Sequence, residues 1–572
     1  MRSLAINSSA LSNSVLSGFF PRGGAARLFS PRRLRVSVKL RFFGLLVGGA
    51  CRCDGRGAGK MGAARVAVNS VIDLTEKEER IFQQLLGVVR HFQMETQLRV
   101  AGGWVRDKLL GRECFDIDIA LDNMLGREFC DKVNEYLSLT GEERRGVGVI
   151  QCNPDQSKHL ETARMRIYDV WIDFVNLRSE TYAENSRIPS MIFGTAEEDA
   201  YRRDLTINSL FYNINTNSVE DLTGRGIEDL RSGIINTPLP PMATFLDDPL
   251  RVLRAIRFGA RFGFTLDDGV KNAAAHEDVK SAIANKVSRE RIGHEVDLMI
   301  SDKDPVKAVT YLSDLQLFWV VFSLPHNSEL TIVERTDRLC VGYMNAAWNL
   351  LQSLGCSILN DDHRRLYLYG ALFLPLRTLI FKDKKSKEIP VVSHIFRGSL
   401  KLKASDAETV VSVHNVLEKF ISLIGFLESN EASDLAEAEL GDDYLDLPVV
   451  SKKRILAGLF LRQIKDFWRV ALLISTLIYP RVHHNEDFLA KNFEVEDASK
   501  MYRSVHDTIV WEMKPLVKGD EVMDLLRLKT GGPQVREWQN RLLKWQLAHP
   551  AAEKAAALAW LEHLRSKRAK LS

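Results

Sequence analysis

Several things are scarce in this 572-residue chain, and each absence narrows the reading. Its seven cysteines, Cys51, Cys53, Cys114, Cys130, Cys152, Cys340 and Cys356, form no CxxC pair and no zinc-ligand spacing. An odd number of scattered thiols points to a reducing compartment and to no disulfide framework. No run of 18–20 apolar residues appears, so a transmembrane helix is not expected. The apolar piece FFGLLVGGAC (42–51) is too short to span a bilayer and sits late for a secretory signal.

The first 53 residues contain no Asp or Glu but nine Lys/Arg and many Ser, the composition of an organellar transit segment. Acids return at MGAARVAVNSVIDLTEKEE, so Met61 is a candidate second start, giving a form for the cytosol or nucleus. The overall charge of +4 is therefore misleading. Removing those nine from the 78 basic residues leaves 69 against 74 acids, a net of −5. Charge alone does not announce a nucleic-acid binder, and any RNA contact must use local basic patches. The length calls for two to four domains.

The most informative stretch is LRVAGGWVRDKLLGRECFDIDIAL, residues 98–121. It reads as a short strand, a Gly-Gly turn, a short helix and an alternating strand. On that second strand Asp116 and Asp118 stand at i and i+2 and leave the same face, while Ile117 and Ile119 point into a core. Two adjacent carboxylates repel, and a raised pKa or a bound cation resolves the repulsion. Mg²⁺ suits such a pair, because it takes oxygen ligands and shares them with substrate phosphates. Gly102 and Gly103 open a helix whose backbone N–H groups can approach a triphosphate, and Arg106 can fork onto phosphate. Asp107 reads as an orienting partner for a neighbouring cation. A lone DxD is common on solvent-facing strands and also serves metal-dependent glycosyltransferases. GGxxRD followed at about ten residues by DxD is far more specific.

That combination resembles the active-site signature of the DNA polymerase β-like nucleotidyltransferases. Within that superfamily it is similar to the class II tRNA nucleotidyltransferases and the related bacterial poly(A) polymerases. Further motifs follow in the family's order between about 95 and 300. Helices are expected from Thr75-Glu76 and over 124–139, and strands at VGVIQ, ETARMRIY and VWIDFVNL. Asp173, in the last strand, is a candidate third carboxylate; pairing with Arg178 is the competing reading. Residues 178–200 are polar, carry Gly and Pro and show no period, so they read as a loop. In the resembled family a flexible loop here helps the switch from adding C to adding A.

Arg202, Arg203, Asp204 and Asn208 of YRRDLTIN resemble the family's RRDxTxN motif. Arg203 can hold phosphate, and Asp204 can accept from a ribose 2′-OH, which selects ribonucleotides. Arg202 reads as structural, and Asn208 as either structural or nucleotide-contacting. The following FYNI is expected as a strand beside the DxD strand. The segment from Asp221 to Leu230 is similar to the family's link between catalytic head and neck.

Beyond TPLPP (237–241) the pattern turns helical. LDDPLRVLRAIRFGARFGF is expected as one helix, with Asp248 and Arg251 at i and i+3 on a shared face. A carboxylate beside a guanidinium matches the donor–acceptor edge of cytosine and of adenine, and mismatches uracil and guanine. Asp247 and Asp248 open a stretch that resembles the family's (E/D)DxxR motif, which implies base selection by side chains. Arg254 and Arg257 match further nucleotide-contacting arginines of the family, although helical geometry turns Arg257 half a turn from Asp248 and lets it bridge neck to head instead. SRERIGHE (288–295) resembles the family's SxERIxxE, with Glu290, Arg291 and Glu295 as a neck brace and His294 as a surface or packing residue.

Residues 300–572 carry amphipathic helices and the basic runs FKDKKSKE (381–388), SKKR (451–454) and SKRAK (566–570). The stretch 428–446 reads as an acid-rich linker. Each basic run either touches tRNA phosphates or is a solvated face.

The expected fold is α+β: a polymerase β-like nucleotidyltransferase head with a mixed sheet, then an all-α neck, body and tail. The expected segments are a transit segment at 1–60, a head at 61–240, a neck at 241–310 and a body and tail at 311–572. The resemblance implies a eukaryotic CCA-adding enzyme that uses two Mg²⁺ ions, CTP and ATP to extend tRNA, gripping its acceptor and elbow, with no membrane and no obligate protein partner. A poly(A) polymerase on the same scaffold, or a silent RNA-binding protein, are the rival readings. A mitochondrial or plastid address follows from the N-terminal composition.

Overall fold

The computed structural model describes residues 66–150, 162–182, 189–325, 332–429, 434–441, 444, 446–478, 514–527 and 530–569. The expected transit segment and the candidate start at Met61 lie outside them.

The chain opens with α1 (Glu76–His91), started by a capping box between Thr75 and Glu78. Glu78 also accepts from Trp104 Nε1 at 3.0 Å and Lys108 Nζ at 2.6 Å. Burial works to raise its pKa, but the Lys108 and Thr75 hydrogen bonds hold it below the usual carboxylate range. This pins α1 to the helix that carries the Gly-Gly turn. That turn follows β1 (Leu98–Ala101) and opens α2 (Gly103–Leu109); β2 (Ile117–Leu121) comes next. Then come α3 (Gly126–Leu139), β3 (Val147–Ile150), β4 (Thr162–Ile167) and β5 (Val170–Asn176).

The segment 178–200, expected as a loop, is not one throughout. It holds a hairpin of β6 (Arg178–Tyr182) and β7 (Pro189–Phe193), paired from Arg178↔Phe193 to Tyr182↔Pro189, followed by α4 (Ala196–Tyr201). Cross-strand pairing supplies the order that a polar sequence without apolar alternation does not advertise. β8 (Phe211–Asn213), β9 (Ser218–Glu220) and α5 (Gly226–Ser232) complete this part.

The main sheet has seven strands in the order β3-β4-β5-β2-β1-β8-β9. It is mixed: β2 and β5 run parallel, and β1 is antiparallel to both its neighbours. FYNI was expected beside the DxD strand; instead β8 lies against β1, and the carboxylate strand takes β5 as its other neighbour. One face of the sheet buries Ile117, Ile119, Ile172, Phe174 and Met165 in the main core with Phe129 and Val133 of α3. The opposite face carries a small cluster of Ala101, Ala120, Leu177, Ala200 and Phe211, and beside it the acidic residues.

From Pro241 the chain is almost all helix: α6 (Pro241–Asp247), α7 (Leu250–Phe262), α8 (Asp268–Ala274), α9 (Glu277–Lys286) and α10 (Arg289–Ser301), then further helices to Ala569. Two short strand pairs interrupt them, Ile234–Ile235 with Thr265–Leu266 and Ile380–Lys382 with Glu388–Pro390. The basic run 381–388 lies across the second of these strand pairs. The expected linker 428–446 contains a helix, Asp434–Leu440. Ala404–Phe426 is long and apolar enough to cross a membrane by length and composition, with half of that stretch buried. Its Val410, Val413, Leu417, Phe420 and Leu423 belong to the helical core. Cys114, Cys130 and Cys340 are free thiols.

Candidate active site

Asp116 and Asp118 sit where α2 returns to the sheet. Asp118 lies within β2, whereas Asp116 is exposed and stands one residue ahead of the strand, which begins at Ile117 and not at Phe115. The parallel register places Asp118 directly beside Asp173 of β5. Three carboxylates therefore share one edge. Burial, then the charges of Asp116 and Asp173, push the Asp118 carboxyl up to about 6, against the pull of Arg203 and Arg164. A divalent cation beside this group would favour its ionised form. Among the described residues no three acidic, imidazole or thiol side chains converge tightly enough to hold an ion alone. Two hard oxygen donors completed by substrate phosphates are the usual arrangement for Mg²⁺, and Asp116 with Asp118 fit it.

Asp173 does not pair with Arg178. Its carboxylate is forked by Arg164, its cross-strand partner on β4, with Nη2 2.7 Å from Oδ2. Pairing register decides this, because residues opposite one another on neighbouring strands share a face.

Gly102 adopts φ +73, which disfavours a side chain, and a Cβ there would lie 2.8 Å from Arg203 Nη1. Gly103 opens α2 behind it. Arg203 is thus laid against the Gly-Gly turn, over the Phe211 ring, with its carbon Cζ 5.1 Å from the ring centroid. Arg106 is less available than the motif implies. It is buried, forks onto Asp107 at 2.9 and 3.0 Å, donates to Asn208 Oδ1 and stacks on Phe258 and Phe262. It ties the head to α7, and Asp107 is its orienting partner.

Asp204 is at the centre of a second network. Its Oδ1 accepts from Leu205 N at 2.9 Å and Asn208 Nδ2 at 3.1 Å; its Oδ2 accepts from Arg254 Nε at 2.7 Å. Burial acts to raise this carboxyl, but Arg254 and Asn208 hold it down to about 2. Asn208 links Asp204 to Arg106.

Asp248 is not on a helix with Arg251. α6 ends at Asp247, which is half-buried, and α7 begins at Leu250. Between them Asp248 is extended, φ −130 and ψ 99. The cause is Pro249, whose ring excludes the helical conformation from the residue before it. Asp248 accepts from Leu250 N at 3.3 Å and Arg291 Nη2 at 3.1 Å. Arg251 Nη2 donates to the Arg202 carbonyl at 2.8 Å. Arg257 faces away from this cluster: it is buried, with Nε 2.6 Å from Glu295 of α10. Arg254 lies between, on Asp204 and 3.8 Å from Glu295. Of the three residues expected as a brace, Arg291 reaches Asp248 and Glu295 holds Arg257 and Arg254, while Glu290 is exposed, as is His294.

With this geometry in view, known proteins can be compared. Residues 98–236 match the Poly A polymerase head domain. The chain is 32% identical over 544 residues to the mitochondrial CCA tRNA nucleotidyltransferase of Candida glabrata, covering 86% of this chain and 96% of that protein. It is 33% identical over 496 residues to the mitochondrial CCA tRNA nucleotidyltransferase of Saccharomyces cerevisiae, covering 82% and 88%. The chain belongs to the CCA tRNA nucleotidyltransferase family. Its fold matches the Bacillus stearothermophilus CCA-adding enzyme solved with CTP at a TM-score of 0.58, with 19% identity and coverage of 87% of this chain and all of that one.

Family membership makes the chain a nucleotidyltransferase. The geometry also brings in a residue that lies outside the motifs. Asp199 of α4 is buried, and its Oδ1 takes Arg202 Nε at 2.8 Å and Nη2 at 2.6 Å. Its Oδ2 takes Arg203 Nε at 3.0 Å and Nη2 at 2.8 Å. Arg178 N, at the base of the hairpin, donates to Oδ1 at 3.3 Å. One carboxylate thus holds both arginines of the RRD motif and the start of the hairpin. The clue was its position three and four residues before two arginines, a helical spacing for ion pairs.

Proposed function

We propose that the cleft face bearing Asp116 and Asp118 carries out the family's reaction in this chain: template-independent addition of C, C and A to the 3′ end of tRNA from CTP and ATP, with pyrophosphate release. One observation carries this reading: the Gly-Gly turn, the RRD network and the Asp248–Arg251 junction, scattered over about 150 residues of sequence, are linked through the contacts of Arg203, Arg251 and Arg254, and the charge of Arg203 acts on Asp118 of the DxD edge.

Asp116 and Asp118 would hold Mg²⁺ together with the substrate phosphates. Two such ions would lower the pKa of the attacking 3′-OH and neutralise charge on the leaving pyrophosphate. The chain's own residues do the positioning. The Gly102–Gly103 turn allows close approach of phosphate, and Arg203 supplies charge beside it. Asp204, kept ionised, accepts from the ribose 2′-OH, having lone-pair capacity beyond its three donors. Asp248 and Arg251 read the base edge, one as acceptor and the other as donor. Asp173, engaged by Arg164, and Arg257, engaged by Glu295, act as supports. Arg106 acts mainly through its electropositive field and its brace on α7.

The proposed segments are the head at 61–240, the neck at 241–310 and the tRNA-gripping body and tail at 311–572. A mitochondrial address is supported by the names of the two yeast relatives and by the acid-free leader. A second form from Met61, serving another compartment, is the finer proposal. Asp116→Ala tests the chemistry: incorporation should vanish while tRNA affinity stays near that of the unaltered protein. Retained incorporation would remove Asp116 from the reaction.

A further inference from the structure

Phenylalanine and tryptophan are distributed unevenly on this surface. Among the described residues only Phe115, Trp171 and Phe193 are exposed, at 76%, 52% and 54%; every other described Phe or Trp is buried or half-buried. Exposed apolar side chains scattered singly need no explanation. These three all fall within the segment that builds the catalytic edge. Phe115 immediately precedes Asp116. Trp171 stands two residues before Asp173 on the same face of β5. Phe193 ends the hairpin that continues from β5.

The register gives this its geometry. Ile117 pairs with Ile172 and Asp118 with Asp173, so one step further back brings Asp116 level with Trp171. Trp171 and Asp173 are about 7 Å apart along the strand, roughly the span of one nucleotide. On β4, Arg166 lies opposite Trp171 and Arg164 opposite Asp173. The Arg164 guanidinium stands 6.0 Å from the Trp171 ring centroid. Arg166 is paired with Asp169 at 3.4 Å, but both side chains are more than half exposed, 57% and 80%, so a phosphate can replace that carboxylate at little cost. Aromatic rings beside guanidinium groups are the composition of a single-strand binding surface, where bases stack and the backbone is neutralised.

We propose that Trp171 and Arg166 form the subsite for the single-stranded 3′ end of the RNA acceptor. The terminal base stacks on Trp171, and Arg166 takes the adjacent phosphate. This delivers the terminal ribose to Asp116 and Asp118 from the β4–β5 side of the sheet, while the Gly-Gly turn and the RRD network are reserved for the incoming nucleotide. The assignment rests on the reading of the site as an RNA-extending nucleotidyltransferase. It commits to nucleic acid and not to a protein partner, because Trp171 is flanked by Arg164 and Arg166 and lies within a nucleotide of the carboxylates.

The test is steady-state CMP incorporation into tRNA lacking its CCA end, and into the same tRNA with an abasic 3′-terminal nucleotide. Trp171→Ala should raise KM for tRNA on the order of tenfold, leaving KM for CTP and the unfolding midpoint unchanged. Trp171→Phe should recover most of that loss. The abasic acceptor should cost the unaltered enzyme a similar factor, yet cost Trp171→Ala little, because the stacking partner is already gone. Arg166→Ala should raise KM for both acceptors equally. An unchanged KM for tRNA in Trp171→Ala, or an abasic penalty of undiminished size in that variant, would overturn the subsite. If the unaltered enzyme extends no tRNA, the reading of the function fails instead. Equilibrium tRNA binding by Trp171→Ala in an Asp116→Ala background then still decides whether this face holds RNA.

Discussion

Asp204 and Arg254, fifty positions apart, form an ion pair of 2.7 Å between the RRD motif and the helix of the DDxxR motif. The pair is shielded on the carboxylate side, and the Asp204 carboxyl is held at about 2 against an ordinary 3.8. A carboxylate with a depressed native pKa stabilises the fold above its unfolded pKa and loses that contribution as pH falls through its native value. Stability should therefore drop by about 2 kcal/mol between roughly pH 4 and pH 2 on account of this group. Asp204→Asn should remove that part of the slope. It should also cost about 2–4 kcal/mol at neutral pH, because Arg254 loses its nearest counter-charge. Urea unfolding at stepped pH measures both.

Asp199→Asn keeps size and removes charge at the point where Arg202, Arg203 and the hairpin meet. Both guanidinium groups would lose their forked partner, and Arg203 would no longer be held against Gly102. KM for CTP and for ATP should rise on the order of tenfold, with a smaller effect on KM for tRNA. Steady-state kinetics with each nucleotide varied in turn separates this from a general loss of folded enzyme.

Arg251→Ala and Arg257→Ala should behave differently although the two arginines are six residues apart on one helix. Arg251 contacts the RRD backbone, and its removal should relax the choice of C and A so that UTP is incorporated. Arg257 is buried on Glu295, and its removal should lower the unfolding midpoint while leaving selection faithful. Incorporation assays with each nucleotide alone, alongside thermal melts, distinguish the two.

Gly293→Ala tests how α10 packs against the chain at Leu400. A Cβ at this position of α10 would lie 1.7 Å from the Leu400 carbonyl oxygen. Backbone must move to admit it, at a cost of about 1–3 kcal/mol or more. The unfolding midpoint should fall by a few degrees without any change in nucleotide selection, since no base-contacting residue is involved.

The chemistry was legible in the sequence because each motif is contiguous: DxD, RRD and DDxxR each bring their groups together within a few residues. The partners were less legible because register and packing choose them. Asp173 meets Arg164 and not Arg178 through the β4–β5 pairing, and Arg106 turns to Asp107, Asn208 and two phenylalanines once α7 packs beside α2. Asp248 leaves the expected helix because of the proline after it, which bars the helical conformation at that position. Asp199 was hidden inside a stretch read as loop, where polar residues outnumber apolar ones and the hairpin is held by backbone pairing.

The most direct measurement supplies the purified protein with Mg²⁺, a tRNA transcript lacking its CCA end, and CTP, ATP, UTP and GTP singly and in pairs. The account predicts two C residues from CTP alone, C, C and A from CTP with ATP, then arrest, and little incorporation of U or G. A run of A residues from ATP would place the chain with poly(A) polymerases, and no incorporation under any combination would contradict the assignment of Asp116 and Asp118 to nucleotidyl transfer.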